Sequence, residues 1–488
     1  MKNSELLTVL EDIIDKQDLI RNNLSLFRAR LNTLEDTIEK KLLIRKNQSH
    51  LHARLVKGAH KGLFKERRKI ATNDSNFLEL CKTGSLQQIS DAIRNGANVN
   101  AKGDMGFTPL IWAILENSNP EVITALINAD AEINATCDKG LTPLMWAAAK
   151  NPNPEVITAL INADAEVNAT CDKGSTPLMW AASSNSNPEV ITALIKAGAK
   201  VNARGHGTTP IILAAYSNPN PEVITALING GAEVNAKDDS GKTALMMAAF
   251  GNSNPEVITA LIKGGANLEA RDDEGLTPLI MAAHNLNPEM IKTLIKAGAD
   301  VDARSENGFT ALMWAASINS NPEVITAFIK AKPSMDVDAR CNTTGNTALM
   351  RAAMINPNPE IIEALIKGGA KVNARDNEGQ TALMYAAMSR ERSNPEVIRA
   401  LVKADAHINA TNNYGDTALT KAAHHNRPEI IMALLEAGAE VEGVRVQLNL
   451  IEKFRNDPDK FLDKLNELGS NPEKAEEIMQ ELGVIRKR

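Results

Sequence analysis

The side chains able to do chemistry are few and scattered in this chain. Its eight histidines are scattered, and most occupy no repeated position. His424 and His425 are adjacent rather than one helical turn apart, which is not a metal-ligand spacing. Gly205-His206-Gly207 is a bare GxG, and a turn already accounts for its glycines. Asp272-Asp273-Glu274-Gly275 lacks the ligand spacing of a calcium loop and reads as a solvated turn tip. Cys81, Cys137, Cys171 and Cys341 form no CxxC pair. Cys137 and Cys171 sit 34 residues apart at equivalent places in a repeat. Stacked repeats would hold them beyond the roughly 7 Å Cα separation a disulfide tolerates. Four reduced thiols in a cytoplasm-like compartment are therefore expected. These residues imply no catalytic centre, no metal and no cofactor, and the chain is expected not to be an enzyme.

The composition points the same way. Hydrophobic residues make up 43% and charged residues 23%, with a net charge of −6, as in an ordinary folded protein without a pull towards nucleic acid. No apolar run is long enough for a membrane span. Glu5, Glu11 and Asp12 interrupt the first apolar stretch, so a signal peptide is not expected. A cytoplasmic location is expected, with secretion as an effector by another route left open.

The elements that must position any site are set by a repeat. Asn-Pro-Glu recurs at Asn119, Asn153, Asn187, Asn220, Asn254, Asn287, Asn321, Asn358 and Asn394, with Arg427-Pro428-Glu429 as an altered tenth copy. Thr108, Thr142, Thr176, Thr209, Thr243, Thr277, Thr310, Thr347, Thr381 and Thr417 keep the same frame. Their spacing is mostly 34 residues, with two steps of 33, one of 37 and one of 36. The additions fall near Lys332-Pro333-Ser334 and Arg390-Glu391-Arg392, which read as loops. In each unit a glycine such as Gly140 supplies a turn. Thr142 is an N-cap and Pro143 the first helical residue. Leu144, Ala147 and Ala148 share one face. Asn153-Pro154 restarts a second helix, whose Val156, Ile157, Leu160 and Ile161 form an apolar stripe. Most units end in a glycine such as Gly198, suited to a left-handed C-cap. Asp130, Asp164 and Asp405 take that place at some cost.

This pattern resembles the ankyrin repeat, in its threonine-proline-leucine start and in Lys196-Ala197-Gly198-Ala199-Lys200-Val201-Asn202-Ala203. The resemblance spans roughly residues 74 to 443. It implies an all-α solenoid of stacked antiparallel helix pairs with β-turn fingers, about ten full repeats behind a capping repeat, Asn76 to Ala101. The chain departs from the family where a histidine usually follows the leucine. Ile111, Met145, Met179, Ile212, Met246, Ile280, Met313, Met350, Met384 and Thr420 stand there, so apolar packing is expected to replace a polar network.

Aromatic residues are only 3% of the chain, so their placement carries information. Two residues past the leucine lies about 200° around the first helix, opposite the core. That row reads Trp112, Trp146, Trp180, Leu213, Met247, Met281, Trp314, Arg351, Tyr385 and Lys421. A second row, three residues further on, supplies Tyr216 and Phe250 where the first lacks an aromatic. Phe107 and Phe309 lie in the fingers. In ankyrin proteins this side of the first helix and the fingers form the concave binding face. The resemblance thus implies that these residues meet a protein or peptide partner. Tryptophan and tyrosine are enriched in binding hot spots. Finger-tip residues Asp138, Lys139, Asp172, Lys173, Lys237, Asp238 and Asp272 are expected to set specificity. Arg351, Lys421 and His424 make the C-terminal end more polar, suited to an acidic part of a partner.

The chain divides into an N-terminal segment (1–72), the repeat array (73–443) and a helical C-terminal cap (444–488). Leu6, Leu10, Ile13, Gln17, Ile20, Leu24, Phe27, Leu31, Leu34 and Ile38 keep a heptad seam, so residues 6–38 are expected to form a long helix or coiled coil that supports oligomerisation or docking. Residues 40–69 are strongly basic, with Lys40, Lys41, Arg45, Lys46, Arg54, Lys57, Lys61, Lys65, Arg67, Arg68 and Lys69 against Glu66. They read as a solvated face and linker; the alternative is an adaptor whose basic helix binds nucleic acid or an anionic surface.

Overall fold

A computed structural model describes residues 73–440, except 118, 390–393 and 426. The expected N-terminal coiled coil, the basic stretch, the C-terminal cap and Arg390-Glu391-Arg392 lie outside the described residues. Within them, residues 73–76 and 94–97 group with the N-terminal unit, and the repeat body holds 77–93 and 98–440.

Thr142 shows why these helices begin where they do. Its hydroxyl accepts from the Met145 amide (3.3 Å), and Pro143 fills the position that needs no donor. Nine of the ten repeat threonines cap in this way, Thr209 being the exception. The first helices are Pro109–Glu116, Pro143–Lys150, Pro177–Ser184, Pro210–Ser217, Ala244–Gly251, Pro278–Ala282, Ala311–Ile318, Ala348–Ile355, Ala382–Met388 and Ala418–His424. Each second helix starts on an asparagine whose Oδ1 accepts the amide of the glutamate two residues on, as Asn153 does for Glu155 at 2.9 Å. Arg427 makes no such cap. The second helices are Pro120–Ile127, Pro154–Asn162, Pro188–Lys196, Pro221–Asn229, Pro255–Lys263, Pro288–Lys296, Pro322–Ala331, Pro359–Lys367, Pro395–Lys403 and Pro428–Glu436. Asp74–Thr83 and Leu86–Arg94 precede them.

First helices pack on first helices and second on second, in serial order. In most second helices the first three residues of the stripe, such as Val190, Ile191 and Leu194, are buried, while the fourth, such as Ile161 or Ile195, is half-buried. The residues in the usual histidine position are buried too, Met145, Met179, Met246, Met313, Met350 and Met384 among them. Apolar packing has replaced the polar network, with polar traces where the sulfurs of Met246 and Met350 accept the Thr243 and Thr347 amides and the Thr420 hydroxyl accepts the Thr417 amide.

Polar cohesion between repeats comes from arginines in the fingers, as Arg204 to Lys237 O, and above all from asparagine. Asn252 Nδ2 donates to the carbonyls of Ala215 (2.8 Å) and Asn218 (2.9 Å) in the preceding repeat, and its Oδ1 accepts the Asn254 amide. Asn185, Asn218, Asn285, Asn319 and Asn356 repeat this bridge. The capping asparagines also reach backwards, Asn254 Nδ2 meeting Pro219 O at 2.8 Å. In the fingers, Asn134 and its equivalents link successive units. These bridges were not expected from the sequence.

The fingers lie close together. Gly140 has φ +70°, and a Cβ there would come 2.5 Å from Asp172 Oδ1 of the next finger, so only glycine serves. At the helix ends, Asp130, Asp164 and Asp405 adopt φ of 61° to 62°, as expected. Lys332-Pro333-Ser334 falls in a turn after a second helix.

Candidate functional site

The row two residues past the leucine does not look into open solvent. Side chains on a helix lean towards its N-terminus, and here the N-terminus carries the finger. Trp112, for example, meets Phe107 of its own finger edge to face, with centroids 5.0 Å apart. Trp112, Trp146, Trp180, Leu213, Met247, Trp314, Arg351 and Lys421 are each half-buried.

Two members of the expected docking row belong to the interior. Met281 is 4% exposed, on the shortest first helix. Tyr385 is 7% exposed, with its hydroxyl donating to Asp376 Oδ2 (2.6 Å) and Asn346 Oδ1 (3.2 Å). Burial, and then the hydrogen bond to Asp376, push its phenol above the ordinary value. Phe107 is likewise interior at 6%. Asp272 is not a solvated tip: at 7% exposure its Oδ1 accepts the amides of Glu274 and Leu276 and shapes the finger. The other expected finger-tip residues are at least partly accessible.

Most of the remaining aromatics on the strip gather in two groups. In the first, Phe107 stands between Trp112 and Trp146, 5.4 Å from the latter. Ile111, Leu141, Met145, Cys137 and Cys171 back it, and Trp180 packs against the same cluster. The Lys82 ammonium lies 4.1 Å over the Trp112 ring. The indole N–H groups of Trp146, Trp180 and Trp314 are buried without a hydrogen-bond partner, so these rings offer apolar surface rather than donors.

In the second group, Phe250 contacts His284 (5.3 Å), His284 contacts Trp314 (5.8 Å), and Trp314 contacts Phe309 (6.0 Å). The Arg351 guanidinium covers Phe309 at 4.6 Å. Burial lowers the His284 pKa from its ordinary value of 6.5, so the imidazole is held neutral. His284 was not among the expected site residues. Its signal was its place in the second row beside Phe250.

Between the groups stands Tyr216, 44% exposed. Its ring lies against Gly251 of the next repeat, where a Cβ would sit 2.3 Å from Cε2. The glycine thus lets an exposed aromatic lie flat on backbone.

All four thiols are unpaired and buried. Burial pushes the Cys81 thiol up to about 12. Among the described residues no helix is long and apolar enough to cross a membrane.

Serially stacked helix pairs joined by turn-like fingers define a repeat solenoid. The family described as ankyrin repeats (three copies) matches the chain in overlapping stretches, from 116–205 through 211–305 and 287–376 to 349–444. These cover more than half of the sequence, and the chain belongs to the ankyrin-repeat family. Repeats of this family generally mediate protein–protein interaction. A search of the curated proteins returns no match.

Proposed function

We propose that the chain is a non-enzymatic platform that seats a segment of another protein along the aromatic strip, on the concave side of the array. The supporting observation is the run of accessible aromatic surface across consecutive repeats: exposed Tyr216, then half-buried Phe250, His284 and Trp314 in contact with one another. Apolar strips of this kind mark interaction sites, and rigid aromatics supply large contact area at low entropic cost. Trp112, Trp146, Trp180, Leu213 and Met247 extend the surface towards the N-terminus, while Arg351 and Lys421 bound it at the other end. The buried free thiols support work in a reducing compartment such as the cytoplasm.

In this reading residues 1–72 supply oligomerisation or a second docking site, 73–443 the platform and 444–488 its cap. Replacing Tyr216 and Trp314 together by alanine should leave the fold intact and weaken the partner captured by the full chain by about 2 kcal/mol or more. An unchanged affinity with unchanged thermal melting would remove the strip as the site.

A further inference from the structure

Three cations border the strip, and two are neutralised. Lys82 pairs with Glu79 at 2.6 Å and Lys421 with Asp416 at 2.7 Å. Arg351 differs. Its Nε donates to Ser317 Oγ (3.3 Å), and that hydroxyl is itself fixed by Met313 O (2.8 Å). Its Cζ lies over the Phe309 ring. Among the described residues no carboxylate lies within ion-pair reach of it. The group is half-buried all the same, and burial holds its pKa below the ordinary value.

A desolvated charge without a carboxylate partner is unfavourable, and the Cys341 thiol, whose pKa is lowered to about 7 and whose charge acts on Arg351, offsets part of that cost. Here folding has already met much of that cost and holds the guanidinium over the Phe309 ring with one hydrogen bond. The Nη donors remain, in a geometry that matches a carboxylate bidentately. The Tyr385 hydroxyl is engaged by Asp376 and Asn346 and the unpaired Trp314 N–H is buried, so neither adds an accessible donor. One cation without further donors suits a monoanion better than a phosphate dianion. Phe309 lies against the guanidinium and Trp314 against Phe309, so apolar surface adjoins the charge.

We infer that Arg351 receives an aspartate or glutamate side chain of the docked protein segment, with an aliphatic or aromatic neighbour of that acid seated on Phe309 and Trp314. This rests on the proposed function and specifies the chemistry of its partner.

The test uses the full chain, a random phage-displayed peptide library as the probe, and fluorescence polarisation of the enriched peptides. Enriched sequences should carry Asp or Glu beside a large apolar residue. Converting that acid to its amide should weaken binding by about tenfold or more, as should Arg351→Gln, and combining the two changes should cost little beyond either alone. Arg351→Lys should restore part of the loss. The amide peptide against the unaltered chain needs no variant to fold. Enriched peptides without an acid, or an amide that binds as well as its parent, would overturn the inference. If Tyr216→Ala with Trp314→Ala abolishes binding while Arg351→Gln does not, the strip stands and the carboxylate contact falls. If neither change matters, both fall.

Discussion

Tyr385 and Trp314 hold the same place in their repeats, yet their polar atoms meet different fates. Nine residues upstream, Tyr385 finds Asp376, whose other oxygen accepts the amides of Glu378 (2.9 Å) and Gln380 (2.7 Å). Tyr385→Phe removes one donor from a buried carboxylate and should cost about 1–3 kcal/mol in thermal denaturation, without altering partner affinity. Trp314 has Ser305 at the equivalent place, and its N–H is left unpaired. The sequence made the row visible through helical spacing. It did not reveal which members were interior, because that depends on how each side chain leans over its own finger. His284 adds a pH signature. Its folded-state pKa lies below 6.5 through burial, so the unfolded chain takes up a proton first as pH falls. Stability should therefore be greatest above about pH 6.5 and decline below it, flattening once the folded imidazole titrates. Melting curves across that range should show the decline in the parent chain and less of it in His284→Gln.

At the level of the element, one missing residue explains an oddity. The helix Pro278–Ala282 has five residues where most first helices have eight. The unit is one residue short in the loop that follows, yet Asn285 still bridges to Ala249 O (3.2 Å) and Asn252 O (2.9 Å). The end of the helix has unwound so that the asparagine keeps its place. Asn252→Ala should be severe for the same reason: two buried carbonyls and the Asn254 amide lose partners, at a cost of about 2–4 kcal/mol. Chemical denaturation measures it. Thr-Pro and Asn-Pro made the helix starts readable in advance, since capping is a local rule. The same asparagines' bridges were not readable, because their acceptors lie a whole repeat away. Gly251→Ala should push Tyr216 off the backbone it lies on and lower partner affinity several-fold with little change in melting, as hot-spot aromatics act through fixed placement.

On the scale of the whole molecule, the described repeats pack on their neighbours in serial order, so stability is largely a chain of local terms. Hydrogen exchange in Asn252→Ala should rise in the repeats holding residues 210–296 and stay unchanged near Trp112 and Trp146. Ten agreeing copies were enough to read the architecture from sequence. The proposed strip was only half legible: its position follows from the repeat frame, whereas its accessible centre depends on a glycine opposite Tyr216 and on a histidine between two aromatics. The most direct measurement places a photo-crosslinking benzoylphenylalanine at Tyr216, at Trp314 or, on the exposed face of a second helix, at Thr225 in the full chain. The account predicts that Tyr216 and Trp314 capture neighbouring stretches of one partner polypeptide and that Thr225 captures none of it. Capture of that partner from Thr225 alone would contradict it.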